Sequence, residues 1–168
     1  MKNLIYVPVI FLMGLISCNS GSGNESSAKD STNTVVDTSH AAMSTNMIEP
    51  LPPIPVGAKV FFKNLKNGQT VSSPVKVEMG ATNISVDSAG AVRINSGHFH
   101  LLIDDGDSTA SGVVIPKDST HLHFGNAQKE TNLSLSPGKH KIALQFADGI
   151  HRSYGSKLSE VITINVKK

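Results

Sequence analysis

From Val56 onward, apolar side chains return at every second position, the spacing that places them together on one face of a β-strand. Val60 and Phe62 begin the pattern, and Val75, Val77 and Met79 resume it after Pro74. Phe99, Leu101 and Ile103 follow, then Leu122 and Phe124, Leu133 and Leu135, Ile142, Leu144 and Phe146, and finally Ile162, Ile164 and Val166. Between these runs stand Asn67-Gly68, Asp104-Asp105-Gly106-Asp107 and Ser136-Pro137-Gly138, residues that favour turns, and no long stretch carries a helical period. The pattern predicts about seven to eight short strands over residues 56–168, a hairpin-like opening, and an all-β fold. An antiparallel immunoglobulin-like β-sandwich fits it best, and a small barrel is the alternative. The chain has one Cys and no Trp, so the likeness to antibody domains is one of architecture only.

The first 55 residues break the pattern. Lys2 precedes an apolar run from Leu4 to Ile16, too short to span a bilayer, and Leu15-Ile16-Ser17-Cys18 closes it in the manner of a bacterial lipobox. Residues 1–17 are therefore expected to be a lipoprotein signal peptide, with Cys18 the lipidated N-terminus of the mature chain. Several acyl chains would hold it on a membrane essentially permanently. Asn19 rather than Asp follows the cysteine, which by analogy with enterobacterial sorting favours the outer membrane, on either its periplasmic or its surface side. Residues 19–50 hold seven Ser, four Thr, four Asn and no aromatic residue, so no core can form there. With Pro50, Pro52, Pro53 and Pro55 stiffening its end, residues 18–55 read as a tether and 56–168 as the folded domain. His40 falls in the tether as a solvated residue.

Charge removes several classes of function. Fifteen basic and thirteen acidic side chains are scattered along the chain, and loss of Lys2 with the leader brings the balance closer to neutral. No basic stripe suited to nucleic acid results. A single Cys rules out an internal disulfide. Neither a phosphate-binding glycine loop nor Gly-x-Ser-x-Gly is present, and no catalytic constellation can be read, so an enzyme is not expected.

The chemistry lies in the histidines. His98-Phe99-His100 and His121-Leu122-His123 repeat one pattern, and strand parity turns each pair of imidazoles away from the apolar side. Two imidazoles on one strand face can converge on an ion, because metal–nitrogen bonds are only about 2.0–2.1 Å. If the two triplets occupy neighbouring strands, His98, His100, His121 and His123 form a nitrogen-rich site suited to copper or zinc. Asp104 shares the face of the first pair and could orient an imidazole, while His140 lies near a core edge and His151 follows the Asp148-Gly149 turn at the rim. The competing reading is that the histidines are hydrogen-bonded scaffolding on a domain that docks an envelope protein or glycan.

The ordered motifs Asn64–Pro74, Gly97–Asp104, Ile115-Pro116, Thr120–Gly125, Pro137–His140 and Leu144–His151 together resemble the bacterial family named domain of unknown function 4399. The resemblance runs from about Val60 to Val166. It implies a secreted or lipid-anchored periplasmic protein and carries no reaction with it. It adds Gln128 and Glu130 to His98, His100, Asp104, His121, His123, His140 and His151 as residues on motif positions. The family often has a third histidine where this chain has Phe99, and glycine where it has Ala127.

Overall fold

The computed structural model describes residues 49–168. The leader, Cys18, His40 and the tether up to residue 48 lie outside the described residues.

Nine strands form in the order β1 (Lys59–Phe62), β2 (Thr70–Val71), β3 (Val75–Thr82), β4 (Ser85–Val86), β5 (Ser96–Ile103), β6 (His121–His123), β7 (Glu130–Leu133), β8 (Gly138–Ala147) and β9 (Ser159–Val166). One turn of 3-10 helix, Gly155–Leu158, precedes β9, and no α-helix occurs among the described residues. A three-stranded sheet has the order β1-β3-β7, and a larger one has β2-β9-β8-β5-β4, with β6 also pairing with β5. Pairing is antiparallel except at β2–β9 and β4–β5. The fold is thus all-β, mostly antiparallel and sandwich-like.

The alternation does what the pattern requires. Phe99 stands opposite Phe146, Leu101 opposite Leu144 and Ile103 opposite Ile142, while Ile142 in turn faces Ile162. These side chains meet Val60, Phe62, Val75, Val77, Met79 and Leu133 of the smaller sheet in one buried core. At about 1.5–3 kcal/mol for each large apolar side chain withdrawn from water, this shared layer is what holds the two sheets face to face.

Two expectations change. The opening is hairpin-like in that β1 pairs antiparallel with β3, but the Asn67-Gly68 turn between them is taken up by β9, whose Thr163 carbonyl accepts from Gly68 N at 2.7 Å and whose Thr163 N donates to Asn67 Oδ1 at 2.8 Å. The proline-rich end of the expected tether packs on the domain. Leu51 and Ile54 lie against the core, Pro52 is buried, and Arg152 Nη1 donates to the Glu49 carbonyl. The extended backbone that prolines impose suits a strap as well as a leash; the packing of partly buried Leu51 and Ile54 on the core decides between them.

All eight residues of β5 are buried. One face looks into the core. The other is covered by the 104–120 segment that joins β5 to β6, and by the β8–β9 connection.

Candidate metal centre

The register answers whether the two histidine triplets are neighbours. β6 lies antiparallel beside β5 with His123 opposite His100, Leu122 opposite Leu101 and His121 opposite Leu102. On the other side, β8 sets Ala147 against His98, Gln145 against His100 and Ala143 against Leu102. Small residues at 143 and 147 leave room over this face for the covering segments.

Gln145 fastens that cover. Its Oε1 accepts from Thr109 N at 3.2 Å, and its Nε2 donates to the carbonyls of Gly155 at 3.0 Å and Leu158 at 3.2 Å. Ser153 Oγ donates to the Thr109 carbonyl at 2.8 Å, and Ile115 N to the His151 carbonyl at 3.0 Å. His98 and His100 consequently have no exposed surface. The histidines do face away from the apolar core, as parity requires, but they do not face solvent.

Four imidazoles meet under this cover: His98 and His100 from β5, His123 from β6 and His151 from the β8–β9 connection. His98 Nε2 and His100 Nε2 are 3.1 Å apart, and so are His123 Nε2 and His151 Nε2. The ring centres of His98 lie 5.0 Å from His123 and 4.9 Å from His151. His98, His100 and His123 alone can present three ligand atoms within 4.8 Å of one another. Burial in this apolar setting penalises imidazolium, and the neighbouring imidazoles penalise it further. His98 is pushed down from its ordinary 6.5 to about 4, His100 to about 2, and His123 is lowered in the same direction. The three are neutral at neutral pH, the form that binds metal.

His151 reaches the cluster because its loop is held from inside. Asp148, fully buried, accepts from Ile150 N at 3.1 Å, Arg152 N at 2.9 Å and Arg152 Nε at 2.7 Å. His151 sits in the left-handed region at φ 72°, its N–H donating to the Asp148 carbonyl at 3.0 Å. Gly149 is required because a Cβ there would overlap the Ala91 backbone. On the other wall, Gly125 passes so close to His123 that a Cβ would overlap the imidazole.

The remaining candidates do something else. His121, expected in the metal set, does not join it: its Nδ1 lies 2.9 Å from Asp118 Oδ1 and its Nε2 3.2 Å from Asp105 Oδ2. That contact, with further hydrogen bonds from Thr120, holds the Asp118 carboxyl well below the usual carboxylate range. His140 donates from Nδ1 to Asp104 Oδ2 at 2.7 Å and from Nε2 to the Ser136 carbonyl at 2.9 Å. Two donated bonds require the charged ring, and the bond to Asp104 raises its pKa. Asp104 therefore orients His140, not an imidazole of the cluster. Gln128 Oε1 accepts from Asn126 N at 2.8 Å, and Glu130 pairs with Lys76 at 3.4 Å; neither belongs to the cluster. Gln145, Asp148 and Arg152 support the cluster without standing among the expected site residues. Their signal was a polar residue at a core-strand position and an Asp-Gly turn just before His151.

The described residues thus form an all-β, two-sheet domain whose covered outer face carries a cluster of four imidazoles. Residues 77–167, more than half of the chain, match the family described as Domain of unknown function (DUF4399), and the chain belongs to that family. Both histidine triplets and His151 fall inside the match. No curated protein and no solved structure matches the chain.

Proposed function

We propose that this protein is a lipid-anchored module of the cell envelope, fixed at Cys18 to the outer membrane, that holds copper or zinc through His98, His100, His123 and His151. It holds the ion rather than turning over a substrate. The observation that carries this reading is where the ring nitrogens point. Scaffolding histidines in this same domain satisfy both nitrogens on oxygen: His121 on two carboxylates, His140 on a carboxylate and a carbonyl. In the cluster, by contrast, Nε2 meets Nε2.

The second reading is a structural domain that docks an envelope protein or glycan and carries no metal. One observation favours it: Nδ1 of His98 and of His100 is buried without a partner, where metal-bound imidazoles usually donate to an oxygen. Two unpaired donors cost about 1–3 kcal/mol each, whereas a structural zinc ion contributes about 10–16 kcal/mol, so the missing partners do not outweigh the ion.

The test is metal analysis and chelator-competed titration of the mature chain carrying Cys18→Ser, with and without His100→Ala and His123→Ala. Stoichiometric binding that is lost in variants of unchanged circular dichroism supports the metal module. Equal, weak binding by all of them removes it and leaves the docking domain. Palmitate labelling that disappears in Cys18→Ser tests the anchor separately.

A further inference from the structure

Four imidazoles around one ion can be arranged as a tetrahedron or as a square, and ring positions tell these apart. With a metal–nitrogen bond of about 2.05 Å and a ring centre about 1.1 Å beyond the nitrogen, each centre lies about 3.2 Å from the ion. A tetrahedron then sets all six separations between ring centres at about 5.2 Å. A square sets four at about 4.5 Å and the two diagonals at about 6.4 Å.

The observed separations are 4.9 Å for His98–His100, 5.0 Å for His98–His123 and 4.9 Å for His98–His151. They are 5.1 Å for His100–His123, 5.9 Å for His100–His151 and 4.7 Å for His123–His151. No pair reaches the diagonal of a square, and five of the six lie within half an ångström of the tetrahedral edge.

Resting on the metal-holding reading above, we infer that the cluster takes tetrahedral tetra-imidazole coordination, with His98, His100 and His123 already in reach of one ion and His151 closing on it as the fourth ligand, and selects zinc over copper(II). Intrinsic affinity runs the other way, since copper(II) binds most nitrogen ligands more tightly than zinc, so geometry has to supply the selection. The scaffold is suited to supply it. His98 and His100 stand on a strand paired on both sides, His123 is fixed in register beside them, and Gly125 leaves the His123 ring no slack in one direction. Flattening the four rings toward a square would require β6 and the Asp148–Arg152 turn to move together. A shell of four protein nitrogens also leaves no position for a reacting water, the arrangement of a holding site rather than a hydrolytic one.

Cobalt(II) is the probe, because its visible absorption is intense in tetrahedral and weak in octahedral surroundings. The full mature chain with Cys18→Ser is loaded with cobalt(II), then challenged with zinc and copper(II) in turn. The expected result is the intense tetrahedral spectrum, its displacement by zinc at equimolar metal, and a copper(II) paramagnetic resonance signal narrowed from the ordinary tetragonal pattern. His151→Ala, on a connecting loop, should keep the ion but lose the tetra-imidazole spectrum. Bound cobalt with a weak octahedral spectrum, an ordinary tetragonal copper signal, or a spectrum unchanged by His151→Ala overturns this inference while leaving metal binding standing. Failure of every ion to bind overturns both.

Discussion

Acid should weaken the metal-free domain well before its carboxylates titrate. His98 titrates at about 4 in the folded protein against an ordinary 6.5, and His100 lower still, because burial disfavours their charged forms. Unfolding returns both rings to water. Below pH 6.5 the unfolded chain therefore binds protons that the folded chain refuses, and stability falls as pH falls. Each ring contributes about 1.4 kcal/mol per pH unit, so between about pH 6.5 and 4.5 the two together remove about 5 kcal/mol. That is a large part of the roughly 5–15 kcal/mol typical of a domain. His123, lowered in the same direction by burial, adds to the loss in this window, and two other perturbed groups stay clear of it. His140, whose pKa is raised, has its stabilisation fully in place below 6.5 and loses it only as pH rises. Burial alone would raise Asp104, but bonds from His140 and Lys141 lower it, so its contribution is lost only below the ordinary carboxylate range. The assay is urea unfolding followed by far-ultraviolet circular dichroism, in chelator, across this range. With a urea slope of about 2 kcal/mol per molar, the midpoint should drop by about 2–3 M. A midpoint that stays level to pH 4.5, or one that falls equally in a folded His98→Gln/His100→Gln variant, would refute the assignment of the loss to these two rings.

Three further outcomes follow from contacts already described. Gly125→Ala pushes a methyl group into the His123 ring and should lower metal affinity on the order of 10–100-fold without removing a histidine, as chelator competition would show. Arg152→Met leaves the Asp148 carboxylate buried with backbone donors only and should cost about 3 kcal/mol in urea unfolding; adding Asp148→Leu should restore much of the stability but not the metal affinity, because His151 loses its brace. Ala127 lies in the left-handed region at φ 57°, so Ala127→Gly should raise stability by about 0.5 kcal/mol, the relief of strain exceeding the entropy glycine adds to the unfolded chain. A lowered midpoint in that variant would contradict this balance.

The strands and their inward faces were legible because alternation and burial are the same fact seen from two sides. The pairing of the histidines was legible for the same reason, since parity alone set them on one face. That this face is covered was also written in β5, though less plainly. Leu102 shares the parity of His98 and His100 and is buried, and Ala143 and Ala147 stand beside them in register. An apolar residue on the parity opposite the core face marks cover on that side as well. The fate of His121 was not legible, because Asp105 and Asp118 lie on a loop whose path carries no period. His151 depended on the Asp148-Gly149 turn and its arginine, a local device that becomes visible only when Gly149 is seen pressed against Ala91. The match of Ala127 with a positive φ shows the reverse case, in which a glycine expected from the family resemblance marked the backbone correctly.

The strap at Glu49–Pro55 has a mechanical consequence. The chain joins the folded unit at a carbonyl gripped by Arg152, and Arg152 is the residue next to His151. Tension arriving from the preceding residues is delivered first to that guanidinium, then to the turn that carries one of the four imidazoles. A pull strong enough to peel the strap would disturb the turn that carries His151 before it reached a strand of either sheet.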